Sequence, residues 1–258
     1  MIKFFRKIRQ KLLSENKFSK YLFYAIGEIV LVVIGILIAL QINNWNEQNK
    51  SESFELKMLG EIYKSLSYDN YILEHILNNR ILPVDSSINA ILSMYEAQKI
   101  DLKEFNQHAS KIQNGYIFSY SSGPYETLKI AGLDKVKNDT LRDKLIFHYD
   151  YELPRRIKLI ESANNDQYYQ KLRDLELEIF DYKITTHNNS KEFEILSYKL
   201  DNPQDPLFIK YLQMRNHATK RGISNFKNYL KESKFMIKLL KEEFGRRHYE
   251  IPEFIINN

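Results

Sequence analysis

The sequence predicts a mostly α-helical protein, with a single N-terminal transmembrane helix followed by an extracytoplasmic antiparallel bundle of long helices. Three observations predict it. Tyr21 to Leu40 is an apolar stretch with Glu28 as its only charge. Only 6 prolines and 8 glycines occur in 258 residues, which favours helices over a strand-and-turn fold. Apolar residues then recur at three- and four-residue spacing through most of the remaining chain.

The first segment, residues 1–20, carries seven Lys/Arg against Glu15, a net of +6, while residues 46–258 balance 31 basic with 31 acidic groups. The sequence pI near 9.0 is therefore a property of the tail, and nucleic-acid binding by the large domain loses its electrostatic footing. Within the tail, Ile2, Phe4, Phe5, Ile8, Leu12 and Leu13 share one half of a helical wheel. Lys3, Arg6, Lys7, Arg9 and Lys11 supply the basic groups beside them. That pattern describes a helix lying in the headgroups of an anionic inner leaflet, the alternative being a disordered basic tail that only orients the anchor.

The second segment, 21–45, is read as a transmembrane signal anchor. Twenty residues of helix reach about 30 Å, the hydrocarbon thickness. Tyr21, Tyr24 and Trp45 sit where interfacial aromatics belong. A cleaved signal peptide fits less well, because the apolar run is long and Leu40-Gln41-Ile42-Asn43 offers no small-residue cleavage site. A buried helix of a soluble protein is opposed by the one-sided basic cluster. The positive-inside rule places the N-terminus in the cytoplasm and 46–258 outside it, in the periplasm if the cell has one.

Glu28 is the odd residue of the span. On a helix it shares one stripe with Ala25, Val32, Gly35 and Ala39. Small residues admit a second backbone, and an intramembrane carboxyl usually faces protein, so the stripe is read as a helix–helix contact. The partner is another copy of this chain or a different membrane protein. Glu28 otherwise reaches the headgroups, remains uncharged in lipid, or lines an ion or proton pathway.

From Asn46 the chain turns polar but keeps its period. Leu59, Ile62, Leu66, Leu73 and Ile76 extend a helix to about Arg80, broken in pattern by Asp69 and ended by Pro83. A helix over 84–97 follows, and Asp101 with Glu104 reads as a capping box for another that ends near Gly115. Pro124 opens a short helix that Gly132 stops. Asn138 or Asp139 caps the next, which breaks or kinks at Pro154 and resumes to about Tyr182. Residues 183–204 read as loop, and "GYIFSYS" is the one strand candidate. The last and longest helix starts at Asp205-Pro206. Its seam of Ile223, Phe226, Leu230, Ile237, Leu240 and Phe244, with Ser233 a miss and Gly222 a point of bending, suits a bundle or a coiled coil.

"FRKIRQKLL", "YAIGEIVLVVIGILIALQINNWNE" and "YETLKIAGLDKVKNDTLRDKL" together resemble a family of uncharacterised bacterial envelope proteins. It is known only as a domain of unknown function, with one N-terminal span and a helical C-terminal region. Gly27, Glu28, Gly35, Gln41, Asn43, Asn44 and Trp45 carry the closer match; Tyr125, Leu128, Gly132, Asn138 and Leu141 carry a looser one. The resemblance implies an inner-membrane protein and brings no catalytic residues with it.

Chemistry is sparse. The chain has no cysteine, which removes disulfides and thiolate chemistry. It has no phosphate loop, no HExxH and no GxSxG. His148 and Glu152, at i,i+4 with Asp150 on another face, are the best metal candidate, yet two ligands do not make a site. Their expected setting is a surface. Asp174, Glu178 and Asp181 form a carboxylate stripe expected in solvent, and Tyr63, Tyr125, Tyr169 and Tyr211 are expected in the core. No catalytic, cofactor or metal residues are assigned. The reading is a tethered interaction, sensory or scaffold module without enzymatic activity, the alternative being a tethered enzyme lacking a local motif.

Overall fold

A computed structural model describes residues 18–112, 118–158, 167–187, 190–198 and 202–253, with side chains for all of these except 18–21, 24, 167, 169 and 182–198. The basic groups Lys3, Arg6, Lys7, Arg9 and Lys11 lie outside the described residues, as do the side chains of Tyr21, Tyr24 and Tyr169. The described chain is mostly helical. It divides into two units, Met1–Glu55 and Leu56–Asn258.

The described part of the first unit belongs to α1, Phe18–Ile76. From Leu22 to Trp45 its large apolar side chains point outward on every side: Phe23 is 76% exposed, Leu31 69% and Trp45 65%. Such a helix has no inward stripe. It is long and apolar enough to cross a membrane.

The second unit begins inside α1, and there the pattern changes. Leu59, Ile62, Leu66 and Leu73 are fully buried while Tyr68 and Tyr71 remain exposed, so one stripe alone turns inward. Asp69, which interrupts that stripe in the sequence, is buried too.

Proline does not end this helix, contrary to the expectation at Pro83. A π-helical turn, Leu77–Ile81, leads directly into α2, Leu82–Glu96, and Leu82 keeps helical angles (φ −65, ψ −36). The Leu82 N–H donates to Leu77 O, five residues back, so the hydrogen-bond register has already shifted where the proline N–H is missing. The Asn79 side chain adds a donor to His75 O at 3.0 Å. The device recurs. Phe147–Glu152 forms a second π turn, the Leu153 N–H donates to His148 O, and the helix continues over 153–158 through Pro154.

Local chemistry sets the other boundaries. Asp101 caps α3 (Leu102–Lys111) by accepting from the N–H groups of Lys103 and Glu104 at 2.9 and 3.0 Å. The helix stops at Lys111, short of Gly115. α4, Gly123–Ala131, has Pro124 in its first turn and ends on Gly132 at φ +106, where a side chain would be strained. Asn138 caps α5 (Asp139–Ile146) through the Leu141 N–H at 3.2 Å. The helix over 153–158 is α6, and α7 is Gln167–Ile179.

A β-hairpin follows where loop was expected. β1, Phe180–His187, pairs antiparallel with β2, Ser190–Tyr198, and Phe180 lies opposite Tyr198. The short alternations Phe180/Tyr182/Ile184 and Phe193/Ile195 suit strands. The helix expected to run to Tyr182 therefore stops at Ile179. "GYIFSYS" is not a strand over its described part, 118–121.

α8, Pro206–Arg246, is capped by Asp205 through the Leu207 N–H at 2.8 Å and runs unbroken through Gly222. Phe226, Tyr229, Leu230, Ser233, Met236, Leu240 and Phe244 are buried on it, whereas Ile223 and Ile237 are half-buried. The buried face is thus broader than a heptad seam and takes in Ser233. Against α1, Phe244 meets Tyr63 edge-on at 6.0 Å and Lys234 reaches Glu74, so the two helices run in opposite directions. Gly60 allows a close approach here: a Cβ on it would come 3.0 Å from Pro252 Cγ. A core cluster joins Ile88 and Ile91 of α2, Phe105 of α3, Leu175 of α7 and Phe208 and Tyr211 of α8.

Candidate functional site

The unusual chemistry of the second unit collects around Asp69, on a buried turn of α1. Its carboxylate Oδ2 accepts the backbone N–H of Ser121 at 2.9 Å, a partner 52 residues away in the segment that enters α4. That segment is packed by aromatic rings. Phe118 meets Tyr229 and Phe226 edge-on at 5.1 and 5.7 Å. Tyr125 of α4 stacks on Tyr149 with centroids 4.4 Å apart and planes within 11°. His148 lies against both Tyr149 (4.9 Å) and Tyr229 (5.7 Å).

Burial sets the electrostatics. It pushes the Asp69 carboxyl up to about 6, against the opposing effect of the Ser121 N–H. It holds the His148 imidazole down at about 4, with Glu152 raising and Arg156 lowering it. The Tyr149 and Tyr229 hydroxyls are pushed up by burial, and the Asp69 charge adds to both. His148 Nε2, Tyr229 OH, Ser233 Oγ and Asn70 Oδ1 are buried polar atoms without a hydrogen-bond partner among the described residues.

An ionic shell closes one side. Arg156, buried on α6, donates from Nη2 to Glu232 at 2.6 Å and lies 3.3 Å from Glu152. Arg155 also donates to Glu152, at 3.0 Å. Asp150 accepts from the Tyr125 hydroxyl at 2.9 Å and from Lys129 at 2.7 Å. A fourth carboxylate, Glu243 of α8, takes Asn138 of the α5 cap at 2.7 Å together with Arg246 and Arg247. Burial would raise Glu243, but these donors and charges outweigh it and hold it below the usual glutamate value.

The structure relocates the candidates read from the sequence. His148 and Glu152 are buried rather than on a surface, because the π turn faces Tyr229 and α6. The Glu152 charge is answered by two guanidinium groups. Among the described residues no cluster of three His, Asp or Glu side chains is arranged for a metal ion. Asp174 and Glu178 are exposed on α7, but Asp181 belongs to β1, so the stripe is cut where the helix ends. Tyr63, Tyr125 and Tyr211 are buried, as expected. In the first unit, Ala25 and Glu28 are half-exposed, and Val32, Gly35 and Ala39 are exposed on the same helix. A Cβ added at Gly35 would meet nothing within 4 Å among the described residues.

Asp69 is a site residue that sequence reasoning registered only as a break in the apolar pattern. Its one available signal was an acid at an inward position of an otherwise apolar stripe.

The model of DUF6090, described as a family of unknown function, matches residues 28–207. No curated protein and no solved structure matches the chain.

Proposed function

The chain belongs to DUF6090, a family of unknown function, and from its own features we propose a membrane-anchored interaction or scaffold module that assembles through its span. In this reading residues 1–20 lie in the cytoplasm on an anionic leaflet and 21–45 cross the inner membrane. Residues 46–258 form an antiparallel helical bundle in the periplasm. The observation that carries it is the first part of α1, whose apolar side chains are exposed all round from Leu22 to Ile42. Water would make that surface costly, at about 25 cal/mol per Å², and lipid removes the cost. The one-sided +6 tail sets the orientation. The titratable cluster around Asp69 is enclosed by rings rather than opened to solvent, which suits sensing or structure better than turnover.

Assembly is assigned to the stripe of Ala25, Glu28, Val32, Gly35 and Ala39. An intramembrane carboxyl usually faces protein rather than lipid, and a hydrogen bond across helices contributes about 0.6–2 kcal/mol. Among the described residues nothing crowds Gly35, which leaves room for a second backbone. In a two-hybrid assay for membrane helices, Glu28→Leu and Gly35→Ile each weaken association. Ile34→Leu, on the opposite side, leaves it unchanged. Wild-type association by all three variants removes the stripe as an interface.

A further inference from the structure

We propose that Asp69 is a proton-operated latch, whose protonation tightens the packing of segment 118–122 on α1 and whose ionisation loosens it. The geometry is a carboxyl about 5% exposed, joined to the Ser121 backbone N–H and enclosed by rings from three further elements. Phe118 and Tyr120 come from the segment itself, Tyr149 from the second π turn and Tyr229 from α8.

The charged and titratable groups facing this pocket are few and mostly committed. Tyr125 donates to Asp150, which also holds Lys129, and Arg156 is shared by Glu152 and Glu232. His148 titrates at about 4 and is neutral at higher pH. The tyrosines stay protonated throughout the physiological range. Asp69 is therefore the group of the cluster whose charge changes near pH 6.

The sign follows from hydration. With segment 118–122 in place the carboxyl titrates near 6; with the segment lifted and water admitted it returns toward its ordinary 3.8. The open state binds its proton less tightly, so ionisation favours opening. Below about pH 3.8 the latch holds in full, and it loosens progressively as pH rises through about 6. The full displacement corresponds to a change of up to about 100-fold in the opening equilibrium. The Ser121 N–H, which favours the charged form, keeps the closed state from being abandoned outright.

The latch couples two elements. Its α1 side lies on the same helix as the proposed span, and its other side leads into α4. It needs neither the orientation nor the self-association proposed above, so its test is independent of theirs.

The test is amide hydrogen exchange at Ser121 in the full chain in detergent micelles, corrected for intrinsic rates, from pH 5 to 8. Wild type is compared with Asp69→Asn, which keeps the shape and an acceptor but cannot ionise. The ratio of opening constants, wild type over variant, should rise by about tenfold across that range. Taking the ratio cancels any contribution from His148. A ratio that stays constant overturns the latch. As a check that needs no variant, the Asp69 carboxyl carbon followed by NMR should titrate near pH 6, and a midpoint at or below 4 overturns it equally.

Discussion

The two ends of α1 are built from the same residue types and meet opposite surroundings. Leu37 and Val32 in the first unit are 58% and 54% exposed, whereas Leu59 and Leu66 in the second are fully buried. Helix propensity does not distinguish them. The distribution of polar residues does: the first stretch is apolar in every direction and asks for an apolar medium. The second is apolar along one stripe and asks for one protein neighbour, which α8 supplies through Tyr63–Phe244 and Glu74–Lys234. Angular coverage, more than total hydrophobicity, separates a lipid-facing helix from a core-facing one.

The sharpest way to break this comparison is to truncate the same residue type at both places. Leu66→Ala leaves a cavity in a closed core and should cost about 2–5 kcal/mol in denaturant unfolding followed by circular dichroism. Leu37→Ala removes a side chain that touches no core and should change that unfolding by about 0.5 kcal/mol or less. Equal effects would mean that the two stretches share one kind of environment.

A second test sharpens the contrast within the buried region. Asp69 is held above its ordinary value, so its contribution to stability is full below about pH 3.8 and lost as pH rises through about 6. His148 is held below its ordinary 6.5, so its contribution is full above 6.5 and lost as pH falls toward 4. Between pH 4 and 6 the two nearly cancel. Asp69→Asn should leave a stability that climbs with pH, and His148→Gln one that declines, each by about 1–3 kcal/mol over the window. Slopes of the same sign in both variants would remove these two groups as the source.

The smallest effect concerns local chemistry. Asp101→Ala deletes two hydrogen bonds to the first turn of α3 and should cost about 1 kcal/mol in the same unfolding experiment. No change would show the α3 start to be held by packing alone.

The cap result bears on what could be read in advance. Asp101, Asn138, Asp205, Pro124 and Gly132 act within four residues of themselves, and each marks its boundary in the chain as it does in the structure. The hairpin was hidden because its alternating apolar residues are few and sit among Lys, Glu, Thr and Ser. The two π turns defeated the rule that a proline ends a helix, since a register shift before Pro83 and Pro154 satisfies the backbone in another way. Asp69 was illegible for a third reason. Its partner is a backbone N–H 52 residues away, and its rings come from α8 and the second π turn. Nothing local announces a site assembled from four separated pieces of chain.

The central claim is that the first part of α1 lies in lipid, with the basic tail inside and the helical domain outside. The chain has no cysteine of its own, so a single introduced cysteine reports its surroundings without background. In intact spheroplasts treated with a membrane-impermeant maleimide, Lys50→Cys should label at once. Lys11→Cys should label only after lysis, and Ile34→Cys in neither case until detergent is added. Labelling of Ile34→Cys in intact membranes, or of Lys11→Cys from outside, would contradict the account.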